Sequence, residues 1–345
     1  MIKKVGAQLA VVVVLLFVVT ISVIIADSTI DATGVPRTPE DAASTAGAFW
    51  SSGWIAVNQG SFQTLTHGLG GDIDTYTVEL WFVDTETGGM GIHSYGYGGF
   101  EQDANWFGGY WHSLTPDAIS LAREQDDETA DLMMVRIRVV DAPDYDSGWL
   151  EIAEGEVMAL THNLGGNPED YTVSMWFDDQ QTSMGIHAHR FGGAEEGGSF
   201  YGAHWQNLTG TSVRVFRAPD DLTVDRVRLR IVQAPPAPDY DSGWLAIEPG
   251  ETLTMTHNLG GNPVRYRGTF QYRDTSALPI NLGQHARYVG GAAIGNTLFG
   301  GHWQRLTNSA VEVYRQPGGT RSAEVRVRLW APAATVYLPF VVKSP

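Results

Sequence analysis

The chain opens on one long apolar run and then changes to short alternating segments. Val5 to Ala26 carries no charge and lies between Lys3-Lys4 and Asp27. As a helix this run would span ~33 Å, enough to cross a bilayer. Residues 1–27 therefore read as a signal peptide or a membrane anchor. The anchor is preferred, because a cut after Ala26 would leave Ile24 at the −3 site, where a small residue is expected. With the two lysines held inside, everything that follows would be exported. Residues 28–49, rich in Ser, Thr, Asp, Pro and Gly, read as a flexible linker.

Beyond the linker the pattern is that of strands. Trp149 to Ile152, Val157 to Leu160, Tyr171 to Phe177, Val213 to Arg217 and Val227 to Ile231 are β-branched, aromatic or strictly alternating, with turn residues between them. They predict six or seven strands per unit and no helix longer than a turn or two. Alternation with arginine, as in Val227-Arg228-Leu229-Arg230, predicts antiparallel sheets with one solvated face.

The pattern repeats. Ser52-Gly53-Trp54, Ser147-Gly148-Trp149 and Ser242-Gly243-Trp244 are 95 residues apart, and so are the Thr-His-x-Leu-Gly-Gly motifs beginning at Thr66, Thr161 and Thr256. Tyr76, Tyr171 and Tyr266 keep the same period, as do Asp84, Asp179 and Asp274. Each unit continues through Trp-x-x-Leu-Thr, at Trp111, Trp205 and Trp303, and closes on a Val-Arg-x-Arg strand. The expected architecture is all-β: three tandem antiparallel β-sandwich domains after an N-terminal hydrophobic helix, with repeats at 50–143, 144–235 and 239–331. A period of this length suits a sandwich better than a solenoid turn. Ala234-Pro235-Pro236-Ala237-Pro238 is a stiff joint, and residues 332–345 form an apolar, proline-interrupted tail.

Composition narrows the function. A formal net charge of −17 argues against nucleic acid and anionic lipid as partners, leaving membrane contact to the N-terminal helix alone. There is no cysteine, so disulfides and thiolate chemistry are excluded. No Gly-x-Ser-x-Gly, P-loop, His-Glu-x-x-His or dinucleotide fingerprint is present, and triplication favours avidity over catalysis, so the chain does not read as an enzyme.

Two residue sets could carry binding. His67, His162 and His257, with His93, His187 and His285, could ligate a divalent metal together with Asp84, Asp179 or Asp274; the competing reading makes the Thr-His-x-Leu-Gly-Gly histidines turn-forming. His187-Ala188-His189 is the only close histidine pair and occurs in one unit. Trp111, Trp205 and Trp303, preceded by Tyr110, His204 and His302, follow glycine-rich loops that vary between units. They could be stacking floors for sugar rings, or core residues. Trp54, Trp149 and Trp244 are expected to plug one end of each sandwich.

The order of these motifs resembles small β-sandwich modules of bacterial surface proteins and phage fibres, and loosely the H-type lectin domain, whose usual arrangement is a trimer. That resemblance implies a glycan or another surface protein as partner. The expected function is an exported cell-surface binding protein, carbohydrate-binding or adhesive through avidity. The alternative is a structural component of the cell envelope or an assembly protein without a small ligand.

Overall fold

A computed structural model describes residues 48–140, 142–233, 236–276 and 281–332. The N-terminal apolar run, most of the linker and the tail from 333 onward lie outside them. Among the described residues no helix is long and apolar enough to cross a membrane.

The chain is all-β with antiparallel sheets, and three single-turn 3-10 segments are its helical elements among the described residues. The first repeat holds β1 (Phe49–Ser51), β2 (Ser61–Thr66), β3 (Tyr76–Asp84), β4 (Gly91–His93), β5 (Phe100–Gln102), β6 (Asn105–Phe107), β7 (Gly109–His112), β8 (Ala118–Arg123) and β9 (Leu132–Val139). The second holds β10 (Tyr145–Asp146), β11 (Leu150–Glu151), β12 (Val157–Thr161), β13 (Thr172–Asp179), β14 (Gly185–His187), β15 (Ala194–Glu196), β16 (Ser199–Tyr201), β17 (Ala203–Gln206), β18 (Ser212–Arg217) and β19 (Arg226–Val232). The third holds β20 (Tyr240–Asp241), β21 (Leu245–Ala246), β22 (Thr252–Thr256), β23 (Arg267–Arg273), β24 (Gln284–His285), β25 (Ala292–Ile294), β26 (Thr297–Phe299), β27 (Gly301–Gln304), β28 (Ala310–Arg315) and β29 (Glu324–Trp330).

Each repeat builds the same parts. One sheet runs β1-β9-β3-β4, a second β2-β8-β7, and β5-β6 is a separate hairpin; the later repeats match this plan, with an additional short strand, β11 or β21, on the closing strand where the first repeat has the isolated Ile55–Met133 bridge. Alternate residues of the two sheets meet in a core. In the second repeat Met175, Phe177, Val227 and Leu229 from one sheet face Trp205, Val213 and Val215 from the other, all buried. The strands missed by hydrophobic periodicity are the short ones in the glycine-rich loops, such as β15, β16 and β17.

The Thr-His-x-Leu-Gly-Gly motif is a turn with a backbone reason for its third position. Gly68, Asn163 and Asn258 all have positive φ (60°, 52° and 52°), which glycine and asparagine tolerate best. The preceding histidine accepts the Leu69, Leu164 or Leu259 N–H through Nδ1 at 3.2, 3.3 and 3.2 Å. The buried Tyr76, Tyr171 and Tyr266 donate their hydroxyls to the carbonyls of Gly70, Gly165 and Gly260.

The three repeats join edge to edge. Between the first and second, Ser113 N–H donates to Met184 O (2.8 Å), Leu114 to Ile186 (3.2 Å), Ala188 to Trp111 (3.1 Å) and Arg190 to Gly98 (2.8 Å). The same four bonds recur between second and third, at Asn207–Leu282, Leu208–Gln284, Ala286–Trp205 and Tyr288–Gly192. They recur again between third and first, at Arg305–Met90, Leu306–Ile92, Ser94–Trp303 and Gly96–Gly290. The set closes on itself, so no repeat keeps a free edge at these strands. The hairpins β5-β6, β15-β16 and β25-β26 touch one another, with Phe100, Ala194 and Ala293 buried between them. All three repeats accordingly fall in one compact unit.

Glycine makes the close approach possible. A Cβ on Gly98 would lie 2.9 Å from Phe191 N, one on Gly192 3.1 Å from Tyr288 N, and one on Gly290 2.8 Å from Tyr97 N. The loops expected to bind a ligand thus serve first as seams between repeats.

The arginine face expected to be solvated is covered instead. Arg136 is buried: it stacks on Trp81 at 3.8 Å, pairs with Glu79 at 2.6 Å, and donates to the Val264 and Tyr266 carbonyls of the third repeat. Arg230 stacks on Trp176 at 4.4 Å and donates to Tyr76 O of the first repeat (2.9 Å). Arg326 and Arg328 reach Glu169 O of the second. Alternation showed which residues share a face but not that a neighbouring turn covers it.

Candidate ligand-binding groove

The expected stacking floors do not face outward. Trp111 is fully buried and Trp205 is 3% exposed; Trp303 is half-buried. Trp111 meets Trp176 of the second repeat edge-on at 5.8 Å, and Trp303 meets Trp81 of the first at 5.2 Å. Trp111 and Trp303 pack at seams between repeats, and burial closes the faces of Trp111 and Trp205 to a sugar. His204 and His302 are buried beside them. Trp54 packs on the cluster that joins Trp81 and Met134 of the first repeat to the core of the third, and Trp149 on the cluster that joins Trp176 and Ala188 of the second to the core of the first.

The histidines expected to bind metal are engaged with backbone. His93, His187 and His285 are fully buried; each Nε2 lies 2.9–3.0 Å from the carbonyl of Thr129, Thr223 or Arg321. Each Nδ1 accepts the N–H of Tyr95, His189 or Arg287. With Nε2 donating, the one free lone pair is on Nδ1, and the backbone N–H occupies it. Burial pushes all three imidazoles down, His285 to about 4. The Nδ1 atoms of His67, His162 and His257 are used in their turns, as described. Asp84 and Asp179 cap the loops that follow them, and Asp274 accepts from Ser276 and Leu282 N–H groups. Among the described residues no cluster of three or more His, Asp or Glu could hold a metal.

One predicted residue does line an open site. Tyr110, half-buried on β7, borders a groove of about 370 Å³ at the seam between the first and second repeats. Phe62, Trp106, His112, Ala122, Arg123, Glu124 and Met184 line it too. The register explains the grouping: Phe62 on β2 and Tyr110 on β7 both lie opposite Ala122 on β8, so all three share the outward face of the second sheet. Phe62 is 66% exposed and meets His112 edge-on at 5.6 Å. Behind Tyr110 stands His189 of the second repeat, 4.3 Å between ring centres.

No family model, curated protein or solved structure matches this chain.

Both titratable rings of the groove are neutral near pH 7. Burial pushes the Tyr110 phenol up to about 12 and the His112 imidazole down to about 4. Burial also raises the Glu124 carboxyl, against the pull of Arg190 at 3.1 Å. The cations are compensated. Arg123 pairs with Asp127 (3.0 Å) and donates to Val57 and Asp127 carbonyls; Arg190 pairs with Glu124 and Glu196. The lining thus offers ring faces and polar edges without a spare positive charge.

Sequence reasoning passed over Phe62, Ala122 and Glu124. Their signal lay in an exception within the repeat: Leu121-Ala122-Arg123 stands where Val215-Phe216-Arg217 and Val313-Tyr314-Arg315 stand.

Proposed function

We propose that this chain is an exported surface protein that binds carbohydrate, and that its ligand seat is the groove between the first and second repeats. The observation that carries this reading is an open groove in which the exposed Phe62 and the half-buried Tyr110 share one sheet face beside Glu124. Sugar rings stack their apolar C–H faces on such rings and hydrogen-bond their rims to neighbouring polar groups. The compensated arginines and the net charge of −17 favour a neutral saccharide over an anionic one. A divalent metal is not required by this seat. The three tandem domains of the sequence reading become three copies of one fold that together create the seam.

The test is a glycan array probed with the full chain in detergent, with and without calcium or zinc. Selective capture by neutral glycans, unchanged by chelation and reduced by Tyr110→Ala, is expected. A blank array, or capture confined to sulfated or sialylated glycans, would contradict the reading and favour a structural role in the envelope.

A further inference from the structure

The groove between the first and second repeats has two counterparts by symmetry, and the chain fills both with its own side chains. At the seam between third and first repeats three rings form a row: Tyr95 lies 4.8 Å from His302, and His302 lies 5.6 Å from Tyr314. At the seam between second and third repeats His204 is followed by Phe216 at 5.1 Å. At the seam between first and second repeats the row begins the same way, with His189 and Tyr110 at 4.3 Å. It does not continue onto β8, because the third position is Ala122; Tyr110 instead meets His112 of its own strand at 5.8 Å, on the side where Phe62 stands. The strand register shows that these positions correspond. Ala122 pairs with Phe62 and Tyr110, Phe216 with Val157 and His204, and Tyr314 with Thr252 and His302.

We infer that Ala122 opens a single ring-sized seat per molecule, and that Phe216 and Tyr314 act as built-in occupants that close the other two. The occupant of the open seat is one neutral six-membered ring, because a ring of that size is what the chain itself supplies twice at the same place. It is a single saccharide ring if the proposed function holds, and the inference rests on that reading for the ligand's class but not for the seat. Ala122 is the residue that determines admission. Tyr110 forms the floor beside it, and Phe62 stands at the open side, exposed on the strand across from Ala122. Avidity from three equivalent sites is then excluded, and any multivalency must come from several chains on one surface.

Two probes separate the parts of this inference. Crystals of the full chain, soaked with phenol as a ring probe, report which seams admit a ring. Methyl pyranosides of glucose, galactose and their 2-acetamido forms, titrated in solution, report the class. Phenol is expected at the Ala122 seam alone, absent in Ala122→Phe, and present additionally at the next seam in Phe216→Ala. A pyranoside is expected to bind with a stoichiometry of one, to lose saturable binding in Ala122→Phe, and to approach two in Phe216→Ala. Phenol at all three seams of the native chain, at none, or undiminished in Ala122→Phe would overturn the inference. If Ala122→Phe does not fold, Phe216→Ala decides: failure to gain a second phenol overturns it. Phenol bound at the predicted seam while no pyranoside binds would overturn the saccharide reading and leave the seat standing.

Discussion

Replacing Trp111 by alanine separates a core role from a ligand-contact role most sharply. The ring is fully buried, belongs to the core of the first repeat, and meets Trp176 of the second edge-on at 5.8 Å. Truncating a buried tryptophan removes its transfer free energy and leaves a cavity, together about 3–5 kcal/mol. The lost edge-to-face pair adds about 0.5–1.5 kcal/mol. For a body of nearly three hundred residues each kcal/mol moves the melting midpoint by about 2 °C, so a fall of roughly 7–13 °C is expected. Trp303→Ala should cost less, because that ring is half-buried. Circular dichroism melts of the two variants and the native chain, at one detergent concentration, measure the difference. A Trp111→Ala protein that melts within about 2 °C of native while losing glycan capture would refute the burial reasoning and return this ring to the ligand contacts.

Gly192→Ala should destabilise by about 1–3 kcal/mol, read by the same melts, because it forces a Cβ onto Tyr288 N across a seam from a φ of +90°. Arg136→Ala should cost about 3 kcal/mol or more in denaturant titration, since it leaves Glu79 only the more distant Arg267, frees the Val264 and Tyr266 carbonyls and unstacks Trp81, whereas the exposed Arg214→Ala should stay within about 0.5 kcal/mol. Stability should fall as pH drops below about 6.5: His285 and His302 are held down to about 4 and about 3 by burial, so the unfolded chain binds more protons over that window. Their contribution is fully present above the unfolded value and is lost at up to about 1.4 kcal/mol per pH unit for each group. Melts from pH 8 to pH 4 check it, and a flat profile between pH 6.5 and pH 4 would count against neutral buried imidazoles.

The fold class was legible in the sequence because half-buried strands alternate: the predicted Val157–Leu160, Val213–Arg217 and Val227–Ile231 lie in β12, β18 and β19, and Tyr171–Phe177 enters β13 at Thr172. The turn role of His67, His162 and His257 was legible from Leu-Gly-Gly behind them. What periodicity could not reveal is what covers a face. Arg136 and Arg230 alternate with apolar residues as solvated arginines do, yet a neighbouring turn supplies carbonyls that satisfy them. Trp111 and Trp205 follow glycine-rich loops as exposed sugar platforms do, but Gly98 and Gly192 in those loops allow backbone to approach backbone between repeats. The groove was hidden for the opposite reason. It depends on a missing ring at Ala122, and an alanine on a strand attracts no notice until the repeats are set beside one another in three dimensions.

The claim beneath the whole account is that the three repeats close on one another through strand edges, since the seam is what creates the seat. Amide hydrogen exchange of the full chain tests it directly. The amides of Ser94, Ser113, Ala188, Asn207, Ala286 and Arg305 donate across seams, while those of Val135, Leu229 and Val327 donate within a repeat. The account predicts that the six seam amides are protected to the level of the three internal ones, because opening a seam exposes core. Seam amides exchanging at the rate of open loops, with the internal ones still protected, would show three separate domains and contradict it.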